Sequence, residues 1–316
     1  IHVVECSTFQ IDLTPSLRPS IGILTNLSPD HLDRHGTMEN YAAIKERLVT
    51  SSELAIIGQD DDWCRAISQR CCEAGVSLVP FTMQDGRGAG LWLRKNTLIE
   101  CDGRGHETVY PLAGIATLRG VHNAQNAAAA IACLRALGVA SGVITEGLKT
   151  FPGLAHRMEV VGHIGPVLVI NDSKATNADS AAKALASYPR DLYWIIGGVA
   201  KEGGIASLAA YFDRLSHVYL IGKAAPFFKT QLPATVPVTE SGSLDQAFAD
   251  ALNDARASGA SEPVMLLSPA CASYDQFPNF EVRGARFRAL AEAEREFVPF
   301  GQTIHNKQEA SHGITH

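Results

Sequence analysis

The 316-residue sequence lacks the usual features of a membrane, secreted or nucleic-acid-binding protein. No apolar run reaches the roughly 18 residues that a membrane-spanning helix needs. The net charge is -6 and the pI is near 6.0, so a basic nucleic-acid-binding surface is not expected. The seven cysteines are odd in number and include no C-x-x-C pair, which disfavours a disulfide framework and a zinc site. We therefore expect a cytoplasmic protein with reduced thiols.

Common nucleotide-binding signatures are missing as well. The G-x-G-x-x-G fingerprint does not occur, and the Gly222–Lys223 pair lacks the rest of a Walker A motif. The chain opens at Ile1 with neither a Met nor a signal-peptide pattern. Because Ile1 to Glu5 reads as a strand, we expect the sequence to begin inside a domain, with an upstream portion missing.

The sequence does contain a regular alternation of strand-like and helix-like segments. The strand-like runs are apolar and β-branched, and the helix-like segments repeat apolar residues at three- and four-residue spacing. This order predicts α/β domains, with a mostly parallel sheet in the second half. Strands are predicted at residues 21–25, 54–58, 78–81, 158–162, 167–171, 192–197, 217–221, 235–238 and 263–267. Helices are predicted at residues 38–49, 63–74, 122–137, 140–149, 178–187, 205–214, 224–231, 243–258 and 279–294.

The length and one short segment predict how the chain divides. A chain of 316 residues suits about two domains. Residues 151–155 form the best linker, because Pro and Gly follow a helix there. We expect a first domain over residues 1–154, which includes an antiparallel appendage of short strands between residues 82 and 120. A second domain is expected over residues 155–300, followed by a disordered polar tail over residues 301–316.

The stretch from Asn171 to Asn177 offers several ligand-binding groups in one loop. It follows an apolar strand and contains the carboxylate of Asp172, the amine of Lys174 and two hydroxyls. Open α/β sheets bind ligands at the carboxyl ends of their strands, and a helix capped by Asn177 would favour an anion. An ordinary loop rich in capping residues is an equally good reading of this stretch alone.

Two candidate groups lie in the first half. Glu5 and His31 are expected at or just after strand ends, where a carboxylate and an imidazole could bind a divalent cation. A capping Glu and a loop His bonded to backbone are favoured on spacing alone. The amides of Asn123 and Asn126 share a helix face and could read a heterocycle edge, although a helix cap is the better reading of the spacing. The acidic run 60–62 is expected to be a helix start.

Three further stretches lie in the second half. Arg157, next to His156, could clamp a phosphate, with a surface ion pair as the alternative. The glycines of residues 197–204 could let backbone approach an anion, and Lys201 would add a charge there. Residues 268–277 could line a carboxylate pocket; the thiol within them is expected to be buried and inert.

Taken together these stretches resemble the Mur ligase family, the ATP-dependent amide ligases of peptidoglycan precursor synthesis. The resemblance extends from Glu5 to about residue 294, and within the family it is closest to the D-glutamate-adding branch. It implies a truncated P-loop-ATPase-like central domain followed by a Rossmann-like C-terminal domain, in a monomer. The family's phosphate loop and UDP-binding domain are absent, so we expect a fragment with little activity alone. The matching motifs are Glu5–Gln10, Asp30–Arg34, Tyr41–Lys45, His122–Asn126, Asn171–Asn177 and Ser268–Phe280.

The resemblance also implies a role for each candidate residue. The implied Mg²⁺ ligands are Glu5, His31 and Lys45, the last as a CO₂-derived carbamate. The implied ATP contacts are Asn123, Asn126, Arg157 and Asp172. The implied D-glutamate contacts are Thr176, Lys201, Ser273 and Phe280. Val199 stands where a polar residue is expected in some relatives. The implied catalytic residues are Lys45, His156, Arg157 and Lys174.

The reaction implied by the resemblance is carboxylate activation. ATP would phosphorylate the carboxylate of UDP-N-acetylmuramoyl-L-alanine, and the amine of D-glutamate would then attack the acyl phosphate. Such a reaction depends on charge neutralisation and positioning more than on a protein nucleophile. The alternatives are another Mur or folylpolyglutamate-type amide ligase, or a non-catalytic binding protein descended from such a ligase.

Overall fold

The structure is a computed structural model that describes residues 1–86 and 88–301, except for the side chain of Asp33. Backbone contacts divide the chain into two compact units between Phe151 and Pro152. Each unit has its own sheet. The expected polar tail beyond Gly301 lies outside the described residues. Within the described ranges, every helix is too short or too polar to cross a membrane.

The first unit contains a six-stranded sheet and six α-helices in the part of the chain that the structure describes. Its strands are β1 (Ile21–Leu24), β2 (Leu54–Gly58), β3 (Ser77–Thr82), β4 (Gly90–Arg94), β5 (Thr97–Cys101) and β6 (Glu107–Pro111). Its helices are α1 (Thr8–Leu13), α2 (Leu32–His35), α3 (Met38–Thr50), α4 (Asp62–Glu73), α5 (Val121–Ala136) and α6 (Ser141–Lys149).

The sheet of the first unit runs in sequence order from β1 to β6. Strands β1 to β4 are parallel, and β4, β5 and β6 form an antiparallel meander, which confirms the predicted appendage. The alanine-rich helix α5 packs over β2, β3 and β4, where small side chains such as Ala127 and Ala128 let it approach the sheet closely. These residues join Phe81 and Leu98 in one buried apolar cluster.

The strand predicted over Ile1 to Glu5 is not formed. These residues have no regular structure, and the side chains of Ile1 and Val3 are 97% and 94% exposed. A strand is stable only when a neighbour pairs its backbone groups, and β1, at the edge of the sheet, pairs only with β2 among the described strands. The first ordered element is instead α1, which begins with a capping box between Ser7 and Gln10.

The second unit, as far as the structure describes it, contains a seven-stranded sheet and a two-stranded ribbon. The strands are β7 (Glu159–Ile164), β8 (Val167–Asn171), β9 (Leu192–Gly197), β10 (Val199–Ala200), β11 (Leu215–Ile221), β12 (Val238–Gly242), β13 (Val264–Leu267), β14 (Cys271–Ala272) and β15 (Phe297–Pro299). The helices are α7 (Ala178–Ala186), α8 (Ala225–Gln231), α9 (Leu244–Ala257) and α10 (Phe280–Glu292). The helix predicted over 205–214 is a 3₁₀-helix over Ala206–Arg214.

The large sheet has the order β12-β11-β9-β13-β8-β7-β15, and its first five strands are parallel. This confirms the mostly parallel sheet predicted from the alternation. Strand β12 begins at Val238, later than predicted, because residues 233–236 form a turn closed by the N–H of Val236 on the carbonyl of Pro233. Pro237, which follows that turn, has no N–H to donate to a ladder.

Helices cover both faces of this sheet. Trp194 and Ile196 of β9 belong to a core cluster with α7 and α8, whereas Tyr193 and Ile195 belong to a second cluster with α9 and α10. Side chains alternate between the faces of a strand, so a strand buried on both faces must be apolar throughout, as β9 is. Polar residues are therefore displaced to the ends of the strands.

Candidate functional site

The polar loops of the second unit lie together at the carboxyl ends of its parallel strands, which we call the carboxyl edge of the sheet. Leu267, at the end of β13, pairs with Asn171 at the end of β8 and with Ile195 near the end of β9. The loops that follow these three parallel strands therefore leave the sheet on the same side. This edge carries the predicted residues Asp172, Lys174, Thr176, Lys201 and Ser273.

Asp172 is a buried carboxylate at this edge, with 6% of its surface exposed. Its Oδ1 accepts a hydrogen bond from the N–H of Met158 at 3.1 Å, and its Oδ2 accepts one from the hydroxyl of Ser268 at 2.7 Å. Burial raises the pKa of Asp172 to about 7, although both hydrogen bonds and the charge of Arg157 oppose that rise. The charge of this carboxylate therefore changes near neutral pH.

His156 belongs to a second buried network beside Asp172. The amide nitrogen of Asn171 faces Nδ1 of His156 at 3.0 Å, Oε2 of Glu159 at 2.8 Å and the carbonyl of Gly284 at 3.1 Å. An amide nitrogen only donates and carries two hydrogens, so it can bond two of these three acceptors at a time. The bond to His156 forms in the tautomer with an unprotonated Nδ1, whose proton lies on Nε2. Burial, with a smaller contribution from the charge of Arg288, lowers the pKa of His156 and favours this neutral form.

Lys174 and Phe280 meet across two segments at the same edge. The ammonium nitrogen of Lys174 lies 4.0 Å from the centre of the Phe280 ring, a cation–π contact. The Phe280 ring also makes a T-shaped contact with the ring of His156, with centroids 6.3 Å apart and an interplanar angle of 78°. The side chain of Asn177 accepts a hydrogen bond from the N–H of Ser180, which confirms Asn177 as the N-cap of α7.

The glycine-rich loop after β9 approaches protein backbone closely. Gly197 and Gly198 have φ values of 133° and 131°, a conformation that residues with a Cβ rarely adopt. A Cβ at Gly197 would overlap the carbonyl oxygen of Ile221, and one at Gly198 would overlap that of Ala272. These glycines thus allow β10 to pair with β14, which joins the two loops. Lys201, farther along this loop, is exposed.

The loop after β13 leads to Cys271, whose thiol is the one expected to be buried and inert. Cys271 is fully buried, and burial raises its pKa to about 12, so the thiol is protonated and inert as predicted. Ser273 is also buried, with 3% of its surface exposed. Its carbonyl accepts hydrogen bonds from the N–H groups of Gln276 and Phe277, which closes the loop into a turn.

The predicted metal ligands of the first unit lie in three different segments of the chain. Glu5 is exposed in the irregular first segment, and Lys45 is half-buried on α3. His31 has a φ of 51°, contacts the ring of Phe9 edge-on and lies 3.6 Å from the carboxylate of Asp30. Within the described ranges, no three His, Cys, Asp or Glu side chains are grouped as a metal site. The predicted set includes a carbamylated lysine, which lies outside these four residue types, and the Mg²⁺ assignment stays a prediction.

The two asparagines of α5 are not its cap. The N-cap is Gly120, and no side chain fills that role. Asn123 lies in the first turn and donates from its amide to the carbonyl of Arg119 at 2.9 Å, while Asn126 is exposed on the same face. The cap reading of these residues is therefore wrong. In the acidic run, by contrast, Asp61 caps α4 as expected.

In the second unit, several residues near the carboxyl ends of the strands were not identified from the sequence. Glu159 on β7 and Arg288 on α10 form an ion pair. Neither residue belongs to a local sequence motif, because its partner is distant in the sequence. Arg283 is buried and contacts two loops, although a charged residue on a helix is normally read as exposed. The neighbouring Gly284 is the one local signal of close packing in this helix, since a Cβ at that position would overlap the ring of His156.

Comparison with protein families identifies both halves of the chain. Residues 1–134 match the Mur ligase middle domain, and residues 156–271 match the glutamate ligase domain of the Mur ligases. The two matches lie in the order that the sequence motifs predicted. They correspond to the first and second structural units, respectively.

Two similar proteins of known sequence carry the same name. The chain is 53% identical over 299 residues to the UDP-N-acetylmuramoylalanine–D-glutamate ligase of Mesorhizobium japonicum, covering 95% of the chain and 64% of the relative. It is 54% identical over 287 residues to that of Brucella abortus, covering 91% of the chain and 62% of the relative. The chain thus spans less than two thirds of the length of these relatives.

Solved structures share the fold at low sequence identity. The UDP-N-acetylmuramate-alanine ligase MurC of Thermotoga maritima matches with a TM-score of 0.60 and 17% identity, over 89% of the chain and 61% of that structure. MurF ligase from Thermotoga maritima, in complex with ADP, matches with a TM-score of 0.60 and 18% identity, over 90% and 64%. The structure of E. coli FolC in complex with ADP matches with a TM-score of 0.59 and 19% identity, over 86% and 62%.

Proposed function

The chain belongs to the Mur ligase family, and from that premise we propose that it performs the D-glutamate step of peptidoglycan precursor synthesis. In this proposal the protein uses ATP to join the carboxylate of UDP-N-acetylmuramoyl-L-alanine to the amine of D-glutamate, as a cytoplasmic monomer. The name shared by its relatives supports the reaction. The observation that carries the proposal is the set of polar loops at the carboxyl edge of the second unit's sheet.

We assign D-glutamate to this edge. Thr176 and Lys201 would bind its side-chain carboxylate, because an ammonium and a hydroxyl suit a carboxylate. Ser273 and Phe280 would complete the pocket from the other loop and from α10. The pairing of β10 with β14 supports this assignment, since it joins the loop that carries Lys201 to the loop that carries Ser273. Val199, which is 38% exposed in β10, would add an apolar contact.

We assign ATP to residues on each unit. In the first unit, the side-chain amides of Asn123 and Asn126 would contact adenine, and both lie on one face of the first turns of α5. In the second unit, Arg157 would contact the γ-phosphate and Asp172 the ribose. Asp172 suits a ribose hydroxyl because a carboxylate accepts hydrogen bonds. The proposed metal ligands Glu5, His31 and carbamylated Lys45 remain a prediction from the resemblance.

The proposed reaction has two steps whose charges the protein must handle. An oxygen of the substrate carboxylate attacks the γ-phosphorus of ATP, the bond to the β-phosphate oxygen breaks, and ADP leaves. The neutral amine of D-glutamate, having lost a proton to solvent, then attacks the carbonyl carbon of the acyl phosphate. The nitrogen of the tetrahedral intermediate loses a second proton to solvent, the bond from carbon to the phosphate oxygen breaks, and phosphate leaves with the amide formed. Negative charge accumulates on phosphoryl and carbonyl oxygens in both steps, where positioned cations lower the barrier.

Three side chains of the second unit would supply this stabilisation. Lys174, held over the ring of Phe280, and the exposed guanidinium of Arg157 would offset the charge on the phosphoryl oxygens. His156 would donate a hydrogen bond from Nε2 in the tautomer whose Nδ1 accepts one from Asn171. In this arrangement His156 acts as a neutral donor and not as the base that deprotonates the amine.

Isothermal titration of D-glutamate into the chain tests the proposal, with L-glutamate and L-alanine as competitors of the wrong chirality or size. We expect selective binding of D-glutamate, and at least a tenfold loss of affinity in Lys201→Ala if the ammonium contacts a carboxylate. Lys229→Ala is the matched control. Lys229 on α8 is also exposed, but it forms an ion pair with Glu240 on β12. Equal binding of D- and L-glutamate would count against the D-glutamate assignment and favour another amide ligase of the family.

A further inference from the structure

Arg283 is a buried charge in the first turn of α10, with 1% of its surface exposed. Its Nε donates to the hydroxyl of Ser173 at 3.0 Å, and its Nη2 donates to the carbonyls of Ser173 at 2.9 Å and Cys271 at 3.1 Å. The Ser173 hydroxyl in turn donates to the carbonyl of Phe280 at 2.8 Å. A single guanidinium therefore links the loop after β8, the loop after β13 and the start of α10.

These three segments are the ones that carry the proposed D-glutamate pocket. Thr176 follows Ser173 by three residues, Ser273 follows Cys271 by two, and Phe280 precedes Arg283 by three. We propose that Arg283 is a positioning residue that fixes the spacing of the D-glutamate pocket by binding the backbone of both loops, without contacting the substrate. This inference rests on the proposed function only for the identity of the ligand, since the contacts of Arg283 do not depend on it.

The incomplete pairing of Arg283 supports a positioning role over a stabilising one. Among the described residues, its Nη1 has no hydrogen-bond partner, and neither does the buried Oδ1 of Asp275 in the loop after β13. A buried charge with an unsatisfied donor contributes little stability compared with an apolar side chain of similar size. The planar guanidinium instead has several donors in a fixed arrangement, which can set the distance and the angle between the two loops that it binds.

Asp275 connects the loop after β13 to a further segment and acts on Arg283 through its charge. Its Oδ2 accepts a hydrogen bond from the N–H of Lys223 at 2.8 Å, just before α8. Its negative charge favours the charged form of Arg283, whereas burial acts in the opposite direction and lowers the pKa of that guanidinium to about 10. Arg283 is therefore still a cation at neutral pH, and the charge needed for its bonds to the carbonyls is present.

The first test is D-glutamate titration into the whole chain carrying Arg283→Lys. Lysine keeps the charge but loses the fork, so we expect about a tenfold loss of D-glutamate affinity with the thermal unfolding midpoint changed by only a few degrees. Ser173→Ala, a smaller change, should weaken binding in the same direction. Its effect should not add to that of Arg283→Lys, because both act through one contact. The control is Arg286→Lys on the same helix, whose side chain is exposed and pairs with Asp245.

The second test does not need a ligand, and it separates failure of this inference from failure of the proposed function. Amide hydrogen exchange is compared between the wild-type chain and Arg283→Lys. Faster exchange confined to residues 171–177 and 271–280, with α9 unchanged, supports positioning even if no D-glutamate binds to either protein. Exchange that is unchanged in both loops, or D-glutamate affinity equal to that of the wild type, overturns the inference.

Discussion

The carboxylate of Asp172 accepts a 2.7 Å hydrogen bond from the hydroxyl of Ser268, although both residues are buried. The bond joins the end of β8 to the residue that follows β13. The carbonyl of Ser268 is also occupied, since it accepts a hydrogen bond from the indole N–H of Trp194 at 2.8 Å. A titratable group at the proposed nucleotide edge is thus connected directly to the core of the second unit.

The first prediction concerns pH and stability. The folded-state pKa of Asp172 is about 7, above its ordinary value of 3.8, because burial disfavours the charged form. Between these values the folded protein holds a proton that the unfolded protein has released, so Asp172 stabilises the fold fully below about pH 4 and progressively less as the pH rises to 7. We expect Asp172→Asn to reduce this pH dependence, measured as thermal unfolding midpoints from pH 4 to pH 8.

Ser268→Ala is the companion variant for this prediction. Loss of the hydroxyl removes a hydrogen bond that favours the carboxylate, so the pKa of Asp172 should rise further. The decline of stability would then extend to higher pH. Identical pH profiles for the wild type, Asp172→Asn and Ser268→Ala would contradict the assignment of this titration to Asp172.

The fold was predictable because strands and helices are encoded by local patterns. The predicted segments 54–58, 167–171 and 192–197 coincide with β2, β8 and β9, each of which is continuously apolar up to a polar or glycine end. Residues 1–5 were mispredicted because they carry the same local pattern, but pairing decides whether an apolar run becomes a strand. Such pairing is a tertiary property that one segment does not encode.

The site was predictable only where its chemistry is local. The loop of Asp172 and Lys174 was recognisable because strand, polar loop and N-cap follow one another in sequence. The network of Asn171 with Gly284 joins residues that are 113 positions apart, and no local pattern relates them. The glycines at 197 and 198 were correctly identified as a place of close approach, but the approaching group is protein backbone.

A second prediction follows from the backbone at Gly198. A Cβ there would overlap the carbonyl of Ala272, and the φ of 131° is unfavourable for alanine, so Gly198→Ala should cost about 2 kcal/mol or more. Gly203→Ala is the matched control in the same loop, since its φ is also positive but no atom lies within 4 Å of an added Cβ. We expect about 1 kcal/mol for Gly203→Ala. Calorimetric unfolding should rank Gly198→Ala as the less stable variant, and the reverse order would refute the argument.

A third prediction compares two neighbouring aspartates in the first unit. Asp61 accepts hydrogen bonds from the N–H of Cys64 at 2.8 Å and from the N–H of Leu27 at 3.1 Å. Asp61→Ala should therefore destabilise the start of α4 by about 1–2 kcal/mol. Asp62→Ala removes only an exposed ion pair with Arg65 and should cost about 0.5 kcal/mol or less. Hydrogen exchange in peptides from α4 measures both, and equal effects would show that Asp61 is not the effective cap.

A fourth prediction concerns the thiols, all seven of which are free. Cys72 is exposed, whereas its neighbour Cys71 is buried, and burial raises the pKa of the Cys71 thiol. An alkylating reagent at pH 8 should label Cys72 rapidly and Cys71 only after unfolding, because the thiolate is the reactive form. Cys72→Ser should abolish the rapid labelling of peptide 62–73, and Cys71→Ser should leave it intact. Rapid labelling that persists in Cys72→Ser would contradict the burial of Cys71.

The last prediction tests whether the contact between Lys174 and Phe280 has energetic value. The ammonium lies 4.0 Å from the ring centre, and the lysine is exposed, so a coupling of about 0.5–1 kcal/mol is expected. Lys174→Met, Phe280→Leu and the double variant form a thermodynamic cycle, read as unfolding free energies. Lys174→Met with Phe277→Leu is the control pair, because Phe277 packs in the cluster beneath α9 and α10. Additive effects in the first cycle would show that Lys174 is not held by the ring.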